Sequence, residues 1–120
     1  MKMQESAENY LESILVLSKA QENVRSIDIA NELKFSKASV SIAMKRLREN
    51  GYIEVGADGH IILTDTGKEI AGKMYERHSI LSNWLVSIGV DKKTAAEDAC
   101  RIEHVLSEET FDKIRTAMKY

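Results

Sequence analysis

From Ser26 to Leu63 the hydrophobic period of the chain changes twice, and that change admits few folds. Ile29, Ala30 and Leu33 recur at helical spacing behind Ser26, which is placed to cap a short helix over Ile27–Leu33. Lys34-Phe35-Ser36 then makes a tight turn, and Ser36 is placed to cap a second helix over Lys37–Asn50. Val40, Ala43, Met44 and Leu47 give that helix one apolar stripe, and Gly51 stands where a left-handed residue ends a helix. Two β-prone runs follow at once, Tyr52–Val55 and His60–Leu63, around Gly56-Ala57-Asp58-Gly59. Such a connection containing Asp-Gly reads as a hairpin.

Two short helices joined by a three-residue turn form a helix-turn-helix, and a hairpin directly behind the second helix is the wing of a winged helix. Upstream, Tyr10, Leu11, Ile14, Leu15 and Leu17 predict a helix to about Ala20, with Ser6 as its cap. Downstream, Thr64 caps a long helix over Asp65–Ile88 that Gly89 ends. Asp91 starts a fifth helix that holds Cys100 to His104, and Ser107 caps a sixth. The expected fold is mainly α, with an N-terminal winged helix-turn-helix and two-stranded β wing over residues 1–65 and a helical domain over 66–120. Ile80, Leu81, Trp84, Ile102, Leu106 and Phe111 in the later helices serve either an interface or an internal core.

Composition narrows the function. Charged residues make up 30% of 120 residues with a net charge of −2, which excludes coating nucleic acid by bulk charge but allows a locally basic face. A chain this short buries a low fraction of its surface, which favours a dimer. The single cysteine, Cys100, forbids an internal disulfide and fits a reducing, cytoplasmic compartment. No run of eighteen apolar residues suggests a membrane partner, and Met1 to Glu8 is too polar for a signal peptide.

The basic face falls on the second helix of the motif. From Lys34 to Asn50 five basic residues (Lys34, Lys37, Lys45, Arg46, Arg48) stand against Glu49 alone, a local net of +4. Ser36, Lys37, Ala38, Ser39 and Ser41 open that helix, where helix-turn-helix proteins meet base edges. Hydroxyls bond either base class and the Ala38 methyl suits a thymine methyl. Lys37, Lys45 and Arg46 are placed for phosphate oxygens, with Arg25 and His60 as candidate backbone contacts from the preceding helix and the wing. A solvated amphipathic helix carries similar charges, but the turn, Gly51 and the hairpin together favour double-stranded DNA as the partner.

Cys100, Glu103 and His104 stand at i, i+3 and i+4, one face of a helix. Thiolate, carboxylate and imidazole all bind first-row divalent metals. Two other readings stay open at this point. Cys100 acts as a small hydrophobe beside a solvated Glu-His pair, or Cys100 and His104 form a catalytic pair. The catalytic reading lacks an oxyanion loop, a third orienting group, a Gly-rich phosphate loop and any second cluster, so neither an enzyme nor a small-molecule substrate is expected. A metal-independent winged-helix regulator or interaction module is the alternative to a metal-dependent one.

At this level the chain resembles the diphtheria-toxin-repressor family of iron- and manganese-dependent regulators, in a short form without an SH3-like extension. The resemblance rests on Glu8-Asn9-Tyr10-Leu11-Glu12, Ile29-Ala30-Asn31-Glu32-Leu33, Ser36 to Ser41, Leu63-Thr64-Asp65-Thr66-Gly67, Arg77-His78 and Glu97 to His104. It implies a homodimeric repressor with an N-terminal DNA-binding domain and a C-terminal metal-binding and dimerisation domain. It implies a metal site drawn from three helices: Asn9 and Glu12, then His78, then Cys100, Glu103 and His104.

Some positions depart from the family pattern. Asn9 offers only a neutral carbonyl oxygen where the iron branch tends to have Met and the manganese branch Asp. Glu12 resembles the manganese branch and Cys100 the iron branch. The iron branch's other site is incomplete, because Ser82 and Ala96 replace its Glu and His. Ile42 stands where a polar residue would contact a base, so the family's operators are not expected to carry over. Softness of the Cys100 thiolate puts iron(II) first, the hard oxygens of Glu12 and Glu103 keep manganese(II) close, and zinc, cobalt or nickel are expected to bind in vitro.

Overall fold

The computed structural model describes residues 3–118, with side chains from residue 6 onward. Residues 1, 2, 119 and 120, the outer ends of the two expected domains, lie outside the described residues. The element order is α1 (Met3–Ala20), α2 (Ser26–Leu33), α3 (Lys37–Glu49), β1 (Ile53–Val55), β2 (Ile61–Leu63), α4 (Asp65–Ser87), α5 (Lys92–Ile102) and α6 (Glu108–Met118). The chain divides into two compact units, residues 1–72 and 73–120.

In the first unit the apolar stripes meet in one core. Leu11 and Ile14 of α1, Val24, Ile29 of α2, Val40 and Met44 of α3, and Ile53, Ile61 and Leu63 of the hairpin are all buried together. Ser6 lies inside α1 rather than at its cap, because the helix starts one turn earlier, over residues with good helix propensity. Ser26 is likewise the first helical residue of α2 rather than its cap. Arg25 takes the cap position, where its N–H donates to the Asp28 carboxylate at 2.9 Å and satisfies an otherwise orphaned donor.

The turn after α2 needs one left-handed residue, and Lys34 supplies it at φ 58°. Ser36 caps α3 as its sequence suggests, accepting from the Ser39 N–H at 3.1 Å. Gly51, at φ 79°, ends α3: its N–H reaches Arg48 O at 3.1 Å, and the Tyr52 N–H reaches Leu47 O at 3.0 Å. That pair of bonds is the Schellman arrangement, in which the left-handed conformation is nearly free only for glycine.

The hairpin is antiparallel, with Ile53 opposite Leu63, Glu54 opposite Ile62 and Val55 opposite Ile61. Thr64 joins it to α4. Its hydroxyl donates to Gly51 O at 2.7 Å and accepts from the Gly67 N–H at 3.2 Å. Gly67 has no room for a side chain, since a Cβ there would stand 2.1 Å from the Tyr52 carbonyl oxygen. Backbone cannot yield cheaply, so Gly67→Ala is expected to destabilise the first unit by about 1–3 kcal/mol, the usual cost of overpacking. Urea unfolding checks this, and a loss below about 0.5 kcal/mol would show that α4 simply shifts away.

The second unit packs Leu81, Ala99 and Phe111 with Ile80, Trp84, Ile102, Leu106 and Ile114. Of the apolar positions left open between interface and core, Leu81 and Phe111 lie in this core and Ile80, Trp84, Ile102 and Leu106 are partly buried against it. Asp91 caps α5 through the Lys93 N–H at 3.1 Å, and Ser107 caps α6 through the Thr110 N–H at 3.1 Å. The fifth helix is shorter than expected: it ends at Ile102, and Glu103 and His104 sit in the turn beyond it. Arg77 braces that turn, its guanidinium donating to the Glu103 and Leu106 carbonyls at 2.9 Å each.

Candidate DNA-binding face and metal centre

The first unit presents α3 with one face in the core and the other in solvent. Val40, Met44 and Leu47 point inward, while Lys37, Ala38, Ser41, Ile42, Lys45, Arg46 and Arg48 are exposed. Ser36 and Ser39 are also exposed, but their hydroxyls bond each other at 2.9 Å inside the helix cap. A groove of about 250 Å³, lined by Ser26, Ser41, Met44, Lys45, Arg48 and Val55, runs between α2, α3 and the wing. Its hydroxyls and cations suit phosphate oxygens.

The two candidate contacts outside α3 meet at the wing tip. Arg25 Nη2 pairs with Asp58 Oδ2 at 3.4 Å and Nε donates to the Asp58 carbonyl at 3.2 Å. His60 Nδ1 bonds the other Asp58 oxygen. The His60 hydrogen bond holds the Asp58 carboxyl below its ordinary range. Asp58 reads in the sequence only as a turn former. Its role in tying the wing to the start of α2 had no sequence signal, because Arg25 lies far from it in the chain.

The second unit holds an acid between two imidazoles. Glu103 is 0% exposed. Its Oε2 lies 3.2 Å from His78 Nδ1 and its Oε1 lies 3.3 Å from His104 Nε2. A buried carboxylate needs charge compensation. Imidazole nitrogens at these distances can hydrogen-bond the carboxylate, and imidazole and carboxylate are both donor types for first-row divalent ions. Thus α4 and the end of α5 bring His78, Glu103 and His104 together. Cys100 is exposed, one turn before Glu103. On α1, Asn9 is half-buried and Glu12 buried, three residues apart on one helical face.

Arg77 supports this cluster and escaped the functional reading of the sequence, where it marked only a resemblance. Besides its two carbonyl bonds it reaches Glu108 Oε1 at 3.3 Å and lies 5.1 Å from the centroid of the Phe111 ring. Lys73 first, and Arg77 second, hold the Glu108 carboxyl below its ordinary range. Among the described residues no helix is long and apolar enough to cross a membrane.

A winged helix with a cationic, solvent-facing recognition helix and a separate buried histidine–carboxylate cluster defines a metal-responsive DNA-binding regulator. The comparisons with known proteins agree with that class. Residues 2–61 match the N-terminal DNA-binding domain of iron-dependent repressors. Residues 64–120 match their metal-binding and dimerisation domain. The chain is 33% identical over 119 residues to an uncharacterized HTH-type transcriptional regulator of Methanocaldococcus jannaschii, covering 98% of this chain and 95% of that one. It is 36% identical over 111 residues to the transcriptional regulator MntR of Escherichia coli O6:H1, covering 92% and 72%. Among solved structures, a manganese-dependent transcriptional repressor in complex with manganese superposes with a TM-score of 0.87 at 26% identity, covering 94% of this chain and 52% of that one. The chain thus spans about half the length of that repressor.

The chain belongs to the iron-dependent repressor family. It is a metal-dependent transcriptional repressor, and the family's members are not enzymes.

Proposed function

We propose that the chain acts as a cytoplasmic homodimer that binds operator DNA when loaded with manganese(II) or iron(II) and so controls the supply of that metal. The observation that carries this is the fully buried Glu103 held between His78 and His104. Residues 1–65 form the DNA-binding domain, and residues 66–120 the metal-binding and dimerisation domain. Arg25, Lys37, Lys45, Arg46 and His60 contact backbone phosphates, and the opening residues of α3 face the bases.

Asn9 and Glu12 of α1 and Cys100 complete the ligand set in this reading, as the resemblance implies. Manganese(II) takes first place over iron(II), for two reasons. The donors gathered inside the second unit are oxygen and imidazole, whereas the soft thiolate of Cys100 is exposed. The relatives are regulators named MntR and a manganese-dependent repressor. Bound metal favours the DNA-ready state of the dimer over the others. The two recognition helices of the dimer are then held at about 34 Å, one turn of the duplex. The gain is the difference in metal affinity between the DNA-ready state and the others, about 1–3 kcal/mol.

The test is anaerobic fluorescence anisotropy of the DNA upstream of this protein's own gene, titrated with metal-free and metal-loaded protein. Tight binding with metal alone supports the switch, and the ion acting at the lower free concentration identifies the effector. Equal binding in both states would leave a metal-independent winged-helix regulator or interaction module.

A further inference from the structure

We infer that Asp58 is a charge mask at the wing tip: in the free protein it occupies Arg25 and His60, so the DNA backbone must draw them away from it, and affinity for DNA of any sequence is held down. The inference rests on the proposed phosphate contacts of Arg25 and His60, and it adds a residue that opposes them. Charge is unevenly laid out in the first unit. Lys37, Lys45, Arg46 and Arg48 are all exposed on α3, whereas residues 52–63, the wing and its turn, hold Glu54 and Asp58 but no lysine or arginine. The cation that reaches the wing is Arg25, from the residue ahead of α2, and it meets a carboxylate there.

The contacts define what the mask covers. Arg25 donates through Nη2 to Asp58 Oδ2 at 3.4 Å and through Nε to the Asp58 carbonyl at 3.2 Å. Asp58 thereby takes one of the edges on which a guanidinium holds a phosphate bidentately. Asp58 Oδ1 accepts the His60 backbone N–H at 3.2 Å and bonds the His60 Nδ1. Gly56 leaves the space for that ring, since a Cβ there would stand 2.5 Å from His60 Cε1. Hydrogen bonding from His60 holds the Asp58 carboxyl below its ordinary range, so the charge persists at neutral pH. The Arg25 and Asp58 side chains are 45% and 52% exposed, and ion pairs so exposed hold weakly. A phosphate can therefore take Arg25, but Asp58 is then left without Arg25 and beside an anion. The wing tip thus adds little to the attraction that draws any DNA to α3.

Asp58→Asn removes the charge and keeps an oxygen to accept the His60 N–H. Fluorescence anisotropy of the metal-loaded full chain is read across a range of salt, on the duplex upstream of this protein's own gene and on a scrambled duplex. Asp58→Asn is expected to bind both about three- to fivefold more tightly at low salt, near the upper strength of one exposed ion pair. Its log affinity should also fall more steeply with log salt, by up to about 0.9, the contribution of one phosphate contact. Asp58→Ser, which also accepts at the turn without charge, should behave alike, and circular dichroism should show both variants folded. Arg25→Gln should weaken binding to both duplexes, and most of the Asp58→Asn gain should vanish in that background. Unchanged or weaker binding by Asp58→Asn would overturn the inference. An equal gain without Arg25 would overturn it too, since the carboxylate would then act on DNA directly. Wild-type protein that binds neither duplex would overturn operator binding itself, and the inference with it.

Discussion

Glu103→Gln should abolish metal-stimulated DNA binding and leave the metal-free protein folded. The side chain keeps its size, so the turn beyond α5 keeps its packing. The change removes the negative charge and replaces one of the two donor oxygens with an NH2 group that cannot bind a cation, leaving one neutral carbonyl oxygen. Glu103 is 0% exposed, with an imidazole beside each oxygen. Even residues that merely orient metal ligands lose about 10- to 100-fold in affinity when changed. A ligand at the centre of the cluster should lose at least about 100-fold. Metal-free stability should change far less than metal affinity, because the amide keeps the carboxyl's size and escapes the desolvation cost of a buried charge, which offsets the lost pairing with the imidazoles. Calorimetric metal titration and thermal unfolding read the two effects separately. Metal affinity within about threefold of wild type would remove Glu103 from the site.

Arg77→Ala carries the largest expected cost to stability, about 3 kcal/mol. Arg77 is 6% exposed, and its side chain holds two carbonyls, a carboxylate and the face of Phe111 at once. Hydrogen bonds from a charged donor contribute about 1.5–3 kcal/mol each, and truncation leaves the Glu103 and Leu106 carbonyls without that donor. Arg77→Lys should recover only part of the loss, because one ammonium cannot reproduce the guanidinium fork. The shift in urea midpoint measures it, and a loss below about 1 kcal/mol would mean that the turn holds without Arg77. Metal affinity should fall along with stability, since the same turn carries Glu103 and His104. The Glu108 contact also has a pH signature. Its carboxyl titrates lower in the folded chain than in the unfolded one, so its contribution is full above the unfolded value and fades as pH falls through the folded one.

Much of this protein is readable from its residues because its signals are local. Ser36, Thr64, Asp91 and Ser107 cap the helices they precede. Gly51 and Gly89 take the left-handed conformation that ends a helix, and Asp-Gly marks the wing. Each of these depends on a few neighbouring dihedrals and hydrogen bonds, which sequence spacing encodes directly. The pairing of His104 with Glu103 is local in the same sense.

The tertiary structure decided what depends on residues far apart in the chain. Arg77 and the Glu103 carbonyl stand 26 positions apart, and their bond braces the turn that carries Glu103 and His104. Arg25 and Asp58 stand 33 apart, and their pairing gives a turn aspartate a role in holding the wing. Burial divided the expected ligands in the same way, enclosing Glu103 and leaving Cys100 in solvent. Local spacing places a donor on a helix face. Only packing decides whether that face meets water, a carbonyl or another ligand, because the free energy of each depends on what the rest of the chain brings to it.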